Sequence, residues 1–167
     1  MRRIFTLTLS LLLAASLLTG CGGKTQEVDL DAFYSSLAET YGWSDMGAEE
    51  GGEDTVTMMD VEDELLDSYY PGLGEIPAKQ LIVKAPMISA VVNEIVLMEC
   101  EDQEGADEAA AILQDRVTTQ AEGGAWYPAS MEAWGNAQVV QQGTYVALIA
   151  TDGTQDEIAE QFNALFA

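Results

Sequence analysis

The feature that most constrains the fold is a pattern of strand, acidic turn and helix that occurs twice in the second half of the chain. Residues 95–102 read IVLMECED and residues 145–152 read YVALIATD. A shorter branched run precedes each of them, at 81–83 and at 137–141, so each half predicts a hairpin followed by a helix. Two such ββα units can form one antiparallel sheet, which predicts an α+β fold with the helices on one face. The pattern alone does not distinguish an internal repeat from two independent units. We expect residues 29–167 to form a single domain.

The two helices of these units are predicted from the spacing of their apolar residues. The first runs from about residue 105 to residue 120, and the second closes the chain. Thr154 and Glu157 stand three positions apart at the start of the closing helix, and this spacing predicts a capping box.

One or two further helices are predicted before the sheet. Residues 30–41 place their apolar side chains on one helical face, with Asp29 suited to cap the start and Gly42 suited to end the helix. A short helix is predicted over about 60–68. The stretch between them, about 44–56, is rich in glycine and acidic residues, which predicts a mobile acidic loop.

The amino terminus has the pattern of a secretion signal. The basic segment Met1-Arg2-Arg3 precedes an apolar run over 4–18. As a helix, this run would extend about 22 Å at roughly 1.5 Å per residue, which is less than the roughly 30 Å of a hydrocarbon core. It is therefore a poor permanent membrane span.

The end of this segment, Leu18-Thr19-Gly20-Cys21, is similar to a bacterial lipobox. The resemblance implies cleavage after Gly20 and diacylglyceryl transfer to the sulfur of Cys21. Residues 1–20 are then the signal peptide and residues 21–28 are the lipidated cysteine and a short tether, which predicts a chain anchored by lipid on the extracytoplasmic face of the cell membrane. The alternative is an ordinary secretory peptide in which Cys21 only follows the cut.

The charge of the chain limits its partners. The sequence has 29 acidic and six basic residues. Removal of residues 1–20 takes away two of the basic residues and none of the acidic ones, which leaves a net charge of −25. Phosphate backbones and anionic headgroups repel such a surface, so nucleic acid is excluded as a partner. The expected partners are the membrane, through the lipid on Cys21, and a protein of the cell envelope or a small molecule.

The residue types that are present exclude much enzyme chemistry. Histidine is absent, which removes the commonest general base and imidazole metal sites. Cys100 alternates with apolar residues of a predicted strand, so we expect a buried thiol. No catalytic residue, metal ligand or cofactor is predicted. Two alternatives stay open, a carboxylate-dependent hydrolase and a divalent-cation site, because acidic residues crowd one predicted junction between strand and helix: Glu99, Glu101, Asp102, Glu104, Asp107 and Glu108.

A second candidate for function is a dense aromatic segment that is predicted as a loop between helix and strand. Its members are Trp126, Tyr127, Pro128, Met131 and Trp134. Two interpretations remain open: these rings form an exposed binding patch, or they cover the open end of the sheet and complete its core. Lys84 and Glu94 lie among apolar neighbours in the predicted hairpin, where they could pair with each other in a structural role.

The chain resembles the bacterial lipoprotein family that contains domain of unknown function 4358. The resemblance is carried by Asp31-Ala32-Phe33-Tyr34, Ile82-Val83-Lys84-Ala85-Pro86-Met87, Asn93-Glu94-Ile95, Tyr127-Pro128, Asn136-Ala137, Gly143-Thr144-Tyr145-Val146 and Glu160-Gln161-Phe162. It implies a surface lipoprotein of a kind common in Gram-positive bacteria, with no known activity. The expected function is therefore a non-catalytic binding or protein-interaction module.

Overall fold

The structure is a computed structural model that describes residues 27–48 and 55–167. The predicted signal peptide, Gly20, Cys21 and residues 49–54 of the predicted acidic loop lie outside the described residues. The chain forms these elements in order: α1 (Leu30–Tyr41), β1 (Trp43–Asp45), β2 (Val56–Asp60), α2 (Asp63–Tyr69), β3 (Ala78–Pro86), β4 (Asn93–Cys100), α3 (Gln103–Thr119), α4 (Pro128–Gly135), β5 (Gln138–Gln142), β6 (Tyr145–Thr151) and α5 (Gln155–Ala164). No helix within the described ranges has the length and apolar character needed to cross a bilayer.

The strands form one sheet in the order β1-β2-β3-β4-β6-β5. Every neighbouring pair is antiparallel except β1 and β2, which are parallel. The units β3-β4-α3 and β5-β6-α5 meet where β4 pairs with β6, in a register that places Ile95 opposite Ile149 and Leu97 opposite Ala147. The predicted α+β fold of two ββα units after an amino-terminal helix is confirmed.

The helices lie on both faces of the sheet rather than on one. All residues of β4 and β6 are buried, because the alternating side chains of these central strands are apolar on both sides. Val96, Met98 and Leu148 pack with residues of α3 and Trp134 of α4 on one side, the α3 face. The other side, the α5 face, packs on α1 and α5. Two opposed apolar faces need two covering layers, which is why α5 crosses to the side opposite α3.

The amino-terminal helix forms as its cap residues predict. The Asp29 side chain accepts a hydrogen bond from the Ala32 amide at 2.9 Å, and Gly42 ends α1 in the left-handed conformation with φ of 70°. The capping box of α5 does not form: Thr154 makes no side-chain cap, and its hydroxyl donates to Thr151 Oγ1 at 2.9 Å instead.

The predicted acidic loop is shorter than expected, because β1 overlaps its start and β2 begins at its end. The short helix predicted from about residue 60 starts only at Asp63, since Asp60 is the last residue of β2 and pairs with Lys84 of β3. Strand pairing, which local spacing does not report, fixes both boundaries.

The amino-terminal segment is held at one end of the sheet, which we call the Val28 end. The Gln80 amide donates to the Val28 carbonyl at 2.8 Å and its oxygen accepts from the Leu30 amide at 2.9 Å. The Val28 amide donates to the Tyr145 hydroxyl at 3.3 Å. The turn that joins β3 to β4 over residues 87–92 lies at the other end, the turn end.

Candidate binding cleft

A cleft of about 320 Å³ opens at the turn end of the sheet. One wall is the β3–β4 turn, with Met87 and Val91, and the other is the segment before α4, with Trp126. The floor contains Glu94, Arg116 and Trp134. The cleft therefore joins residues from β4, α3 and α4 that are distant in sequence, at the end of the sheet farthest from Val28.

The floor of the cleft is a buried ion pair. Arg116 of α3 donates from Nε and Nη2 to the two carboxylate oxygens of Glu94, each at 3.0 Å. The side chains are 14% and 6% exposed, so both charges are largely removed from water. The buried Tyr70 hydroxyl also donates to Glu94. A bidentate pair with a further donor offsets the desolvation of the two charges, which a single contact would not do.

Three aromatic rings enclose the Arg116 guanidinium. Its central carbon lies 4.4 Å from the ring centroid of Tyr69, 5.6 Å from that of Tyr70 and 5.4 Å from that of Trp134. Such contacts stabilise a desolvated cation and hold its plane. Burial raises the pKa of Tyr70 well above its ordinary value, and the adjacent negative charge of Glu94 raises it further. Tyr70 therefore stays protonated and remains a hydrogen-bond donor.

The rim of the cleft is apolar and exposed. Trp126 is 91% exposed, and Met87 and Val91, which also line the cleft, are exposed as well. Exposed apolar residues that cluster around a concave site are typical of interaction surfaces, whereas single ones are not informative. Met46 is exposed as well, but it does not line the cleft.

A glycine-dependent turn presents Trp126. Residues Gln120–Gly124 form one π-helical turn after α3, in which Gly123 has φ of 129°. A Cβ at Gly124 would lie 2.8 Å from the Thr119 carbonyl oxygen, which is too close for any side chain. The two adjacent glycines thus permit the tight turn that ends α3 and carries Trp126 to the rim.

The predicted aromatic segment is divided by the fold. Trp126 and Tyr127 are exposed, whereas Trp134 is buried in the core of the α3 face. The segment that we predicted as a loop contains α4, in which Pro128 is the first residue and Met131 is half-buried. Trp134 therefore packs in the core, as one interpretation expects, and Trp126 stands on the surface beside the cleft, where a binding role stays a prediction.

The crowded carboxylates at the start of α3 do not converge. Asp102 caps α3 by accepting from the Gly105 amide at 2.9 Å, and Asp107 accepts from Gln103 and Gln141 at 2.8 Å each. Glu99 faces the α5 side and pairs with Lys79 at 2.8 Å. Glu101, Glu104 and Glu108 are exposed. Across residues 27–48 and 55–167, no group of three acidic or cysteine side chains is arranged to hold a metal ion. Cys100 is a buried free thiol.

The predicted pair between Lys84 and Glu94 is wrong. Lys84 stands opposite Ile95 in the β3–β4 register, so it points to the face opposite Glu94. Its ammonium pairs with Asp45 and Asp60, each at 2.9 Å. A one-residue offset in register reverses the face on which a side chain lies, and the sequence does not specify the register. Sequence reasoning also missed Arg116 and Tyr70, although Arg116 is the only basic residue of α3 and sits beside the apolar Val117.

A comparison with protein-family models identifies the family to which the chain belongs. The model of DUF4358, a domain of unknown function, matches residues 51–151, which is more than half of the chain. The chain belongs to the DUF4358 family. The matched region runs through β6 and includes the cleft residues on β4, α3 and α4. No curated protein and no solved structure matches the chain.

Proposed function

We propose that this DUF4358 protein is anchored by lipid on the extracytoplasmic face of the cell membrane and acts there as a non-catalytic binding module. The location at the membrane is supported by Leu18-Thr19-Gly20-Cys21, which resembles a lipobox and follows a basic and an apolar segment. Two or more acyl chains on one cysteine hold a protein stably at a bilayer, because each buried methylene contributes about 0.8 kcal/mol.

The binding role rests on one observation, the exposed Trp126 at the apolar rim of the cleft. Tryptophan, methionine and arginine are enriched where proteins bind partners. Packing in the hydrophobic core accounts for Trp134, which is buried, but it does not account for Trp126, which is 91% exposed.

The same cleft gives no support to acid-base catalysis. Both oxygens of the Glu94 carboxylate accept from Arg116, and Tyr70 donates to the same group. The donors of the floor itself thus engage this carboxylate, which makes it a structural part of the cleft. We therefore assign the cleft a binding role and no catalytic residue.

The anchor is tested by the Cys21→Ala variant in cells. We expect an unprocessed precursor without incorporated lipid, whereas the parent chain shows a diacylglyceryl adduct in intact mass spectrometry. A Cys100→Ala variant is the matched control, because Cys100 is buried and should leave processing unchanged. Normal processing and lipid labelling of Cys21→Ala would refute the anchor.

The binding role is tested by crosslinking in cells with Trp126→Ala. We expect specific crosslinked species to disappear in this variant and to persist in Met46→Ala, which removes an exposed apolar side chain outside the cleft. Trp134→Ala is not informative here because that ring is part of the core. An unchanged set of crosslinked species in Trp126→Ala would count against the cleft.

A further inference from the structure

Strand β5 forms one edge of the sheet, and no strand of the described residues pairs with its outer side. Its residues are half-buried or exposed, whereas every residue of the neighbouring β6 is buried. Val139 packs in part against the core of the α3 face, and Val140 packs in part against that of the α5 face. The edge therefore leaves one incompletely covered valine on each face of the sheet.

The hairpin determines which backbone groups of β5 face outward. Gln142 and Tyr145 enclose a two-residue loop that begins with Gly143, whose φ is 59°. The residues that flank such a loop exchange both of their backbone hydrogen bonds, and bonded pairs then alternate along the antiparallel ladder. Alternate residues counted back from Gln142 thus bond to β6. The N–H and C=O groups of Val139 and Gln141 point away from β6, toward the open edge.

This edge lacks the features that protect most sheet edges against pairing with another chain, which are charge, proline, a bulge or a very short strand. The opposite edge strand, β1, has only three residues, and its Asp45 pairs with Lys84. In contrast, residues 133–151 contain no charged residue and no proline, and the register between β5 and β6 is continuous. A strand without charge is thus exposed at the edge of a strongly acidic chain.

The glutamine side chains of β5 reach back to the helices. Gln138 donates to Asp156 of α5 at 3.0 Å, and Gln141 donates to Asp107 of α3 at 2.8 Å. The amides of the strand therefore engage these two carboxylates, and the outer side of β5 offers backbone groups rather than charges.

Geometry and charge together favour a second copy of this chain as the occupant. In the antiparallel register centred on Val140, Val139 of one copy faces Gln141 of the other, so both outward residues of each copy find a partner. Val140 then faces Val140 of the second copy, and Gln138 faces Gln142. Every directly opposed pair is neutral, although each chain carries a large negative charge. A charged strand from another protein would find no charge on β5 to pair with.

We propose that two copies of this chain associate through antiparallel pairing of their β5 strands, which makes one continuous sheet across the dimer. About four backbone hydrogen bonds form around the two-fold axis, and Val139 and Val140 become covered. The interface shares no residue with the lining of the cleft, so it does not depend on the binding role proposed above. Repulsion between the two acidic domains weakens the association at low salt, and added salt strengthens it.

Sedimentation equilibrium of the full chain, in detergent of matched density, tests the association. We expect the mass of a dimer at high protein concentration and a larger dimer fraction as salt is raised. Val139→Pro removes an outward donor from each copy and no bond to β6, and proline is tolerated at such an edge position. It should weaken the association at least about tenfold and leave the melting temperature close to that of the parent.

Trp126→Ala is the matched control and should keep the dimer fraction of the parent, because its ring lies in the cleft. A parent chain that stays monomeric at every concentration and salt would overturn the proposal. Association of Val139→Pro as strong as that of the parent would overturn it too, since contacts elsewhere or the lipid would then hold the copies together. Because Trp126→Ala changes only the cleft, failure of the dimer and failure of the proposed binding role are distinguished.

Engineered disulfides test the register without a proline. In a Cys100→Ala background, Val140→Cys should crosslink two copies under mild oxidation, since directly opposed Cβ atoms lie about 4.5–5.5 Å apart. Gln138→Cys alone should not, because its two copies lie about 13 Å apart along the strands, but Gln138→Cys together with Gln142→Cys should. Equal crosslinking of Gln138→Cys and Val140→Cys would refute this pairing. In cells, a Val140→Cys disulfide to another protein instead of a second copy would refute it as well.

Discussion

Strand β4 carries one buried carboxylate near each end, and the two ends of the sheet are built differently around them. At the turn end, Glu94 is paired with Arg116, which is 14% exposed and enclosed by aromatic rings. At the Val28 end, Glu99 pairs with Lys79, which is 57% exposed, and accepts from Gln80. The turn end thus buries a complete ion pair beneath an open apolar rim. The Val28 end uses hydrogen bonds to hold the segment that precedes α1.

The difference shows how similar charges serve different purposes. A pair that is removed from water is rigid and costly to break, so it gives the cleft a fixed floor. A pair with one exposed partner contributes little free energy, but its carboxylate helps Gln80 to fix the position of Val28 and α1.

The largest expected effect comes from breaking the pair at the turn end. Arg116→Met leaves the Glu94 carboxylate buried without its cation, and we expect the free energy of unfolding to fall by about 3–5 kcal/mol. Urea denaturation followed by circular dichroism measures this change. Lys79→Met is the matched variant at the other end and should lower the free energy of unfolding far less, since its ammonium is largely in water.

The double variant Glu94→Leu with Arg116→Met sharpens the result. We expect it to regain part of the stability that Arg116→Met loses, because no charge is left unpaired in the floor. Equal losses for Arg116→Met and Lys79→Met would show that the two ends do not differ as we describe.

A smaller effect is expected from removing the hydrogen bonds of Gln80 at the Val28 end. Gln80→Leu removes bonds to Val28 and Leu30 and leaves the Glu99 carboxylate with one donor fewer. We expect a loss of about 1–3 kcal/mol. Hydrogen exchange should show reduced protection in α1 and unchanged protection in α3. Uniform loss of protection across the domain would contradict the local role of Gln80.

The smallest effect is a dependence of stability on pH at the Val28 end. Burial disfavours the charged form of Glu99, but hydrogen bonds from Lys79, Gln80 and Tyr145 and the charge of Lys79 outweigh it and lower its pKa below the ordinary value of 4.5. A carboxylate with a lowered pKa in the folded state stabilises the protein above its unfolded pKa and loses that contribution as pH falls. We therefore expect the contribution of Glu99 to be complete above about pH 4.5 and to decline below it.

Glu99→Gln tests this dependence. The fall in melting temperature between pH 5 and more acidic solution should be smaller in Glu99→Gln than in the parent chain. Lys79→Met should also reduce it, because the lysine is one of the groups that lower the pKa of Glu99. A melting temperature that falls as steeply in Glu99→Gln as in the parent would contradict the assignment.

Much of the fold was predictable because it depends on local spacing. The runs at 95–102 and 145–152 form β4 and β6 with their turns. Asp29 caps the start of α1 and Gly42 ends it, as expected. These features follow from alternation, helical periodicity and cap chemistry, which a few neighbouring residues determine. The cleft was predictable only in part. Trp126 was identified from the sequence, but the other residues that line the cleft with it, Val91 and Arg116 among them, were not.

By itself, the sequence determined the two ββα units, the first helix, the strong negative charge and the resemblance of its amino terminus to a lipoprotein signal. Only the tertiary structure decided that α3 and α5 cover opposite faces, that Glu94 meets Arg116 instead of Lys84, and that Trp134 is buried while Trp126 is exposed. The physical reason is that strand register and the side on which each helix packs depend on pairings between distant residues. A periodic pattern specifies that one face of a helix is apolar, but it does not specify on which side of the sheet that helix packs.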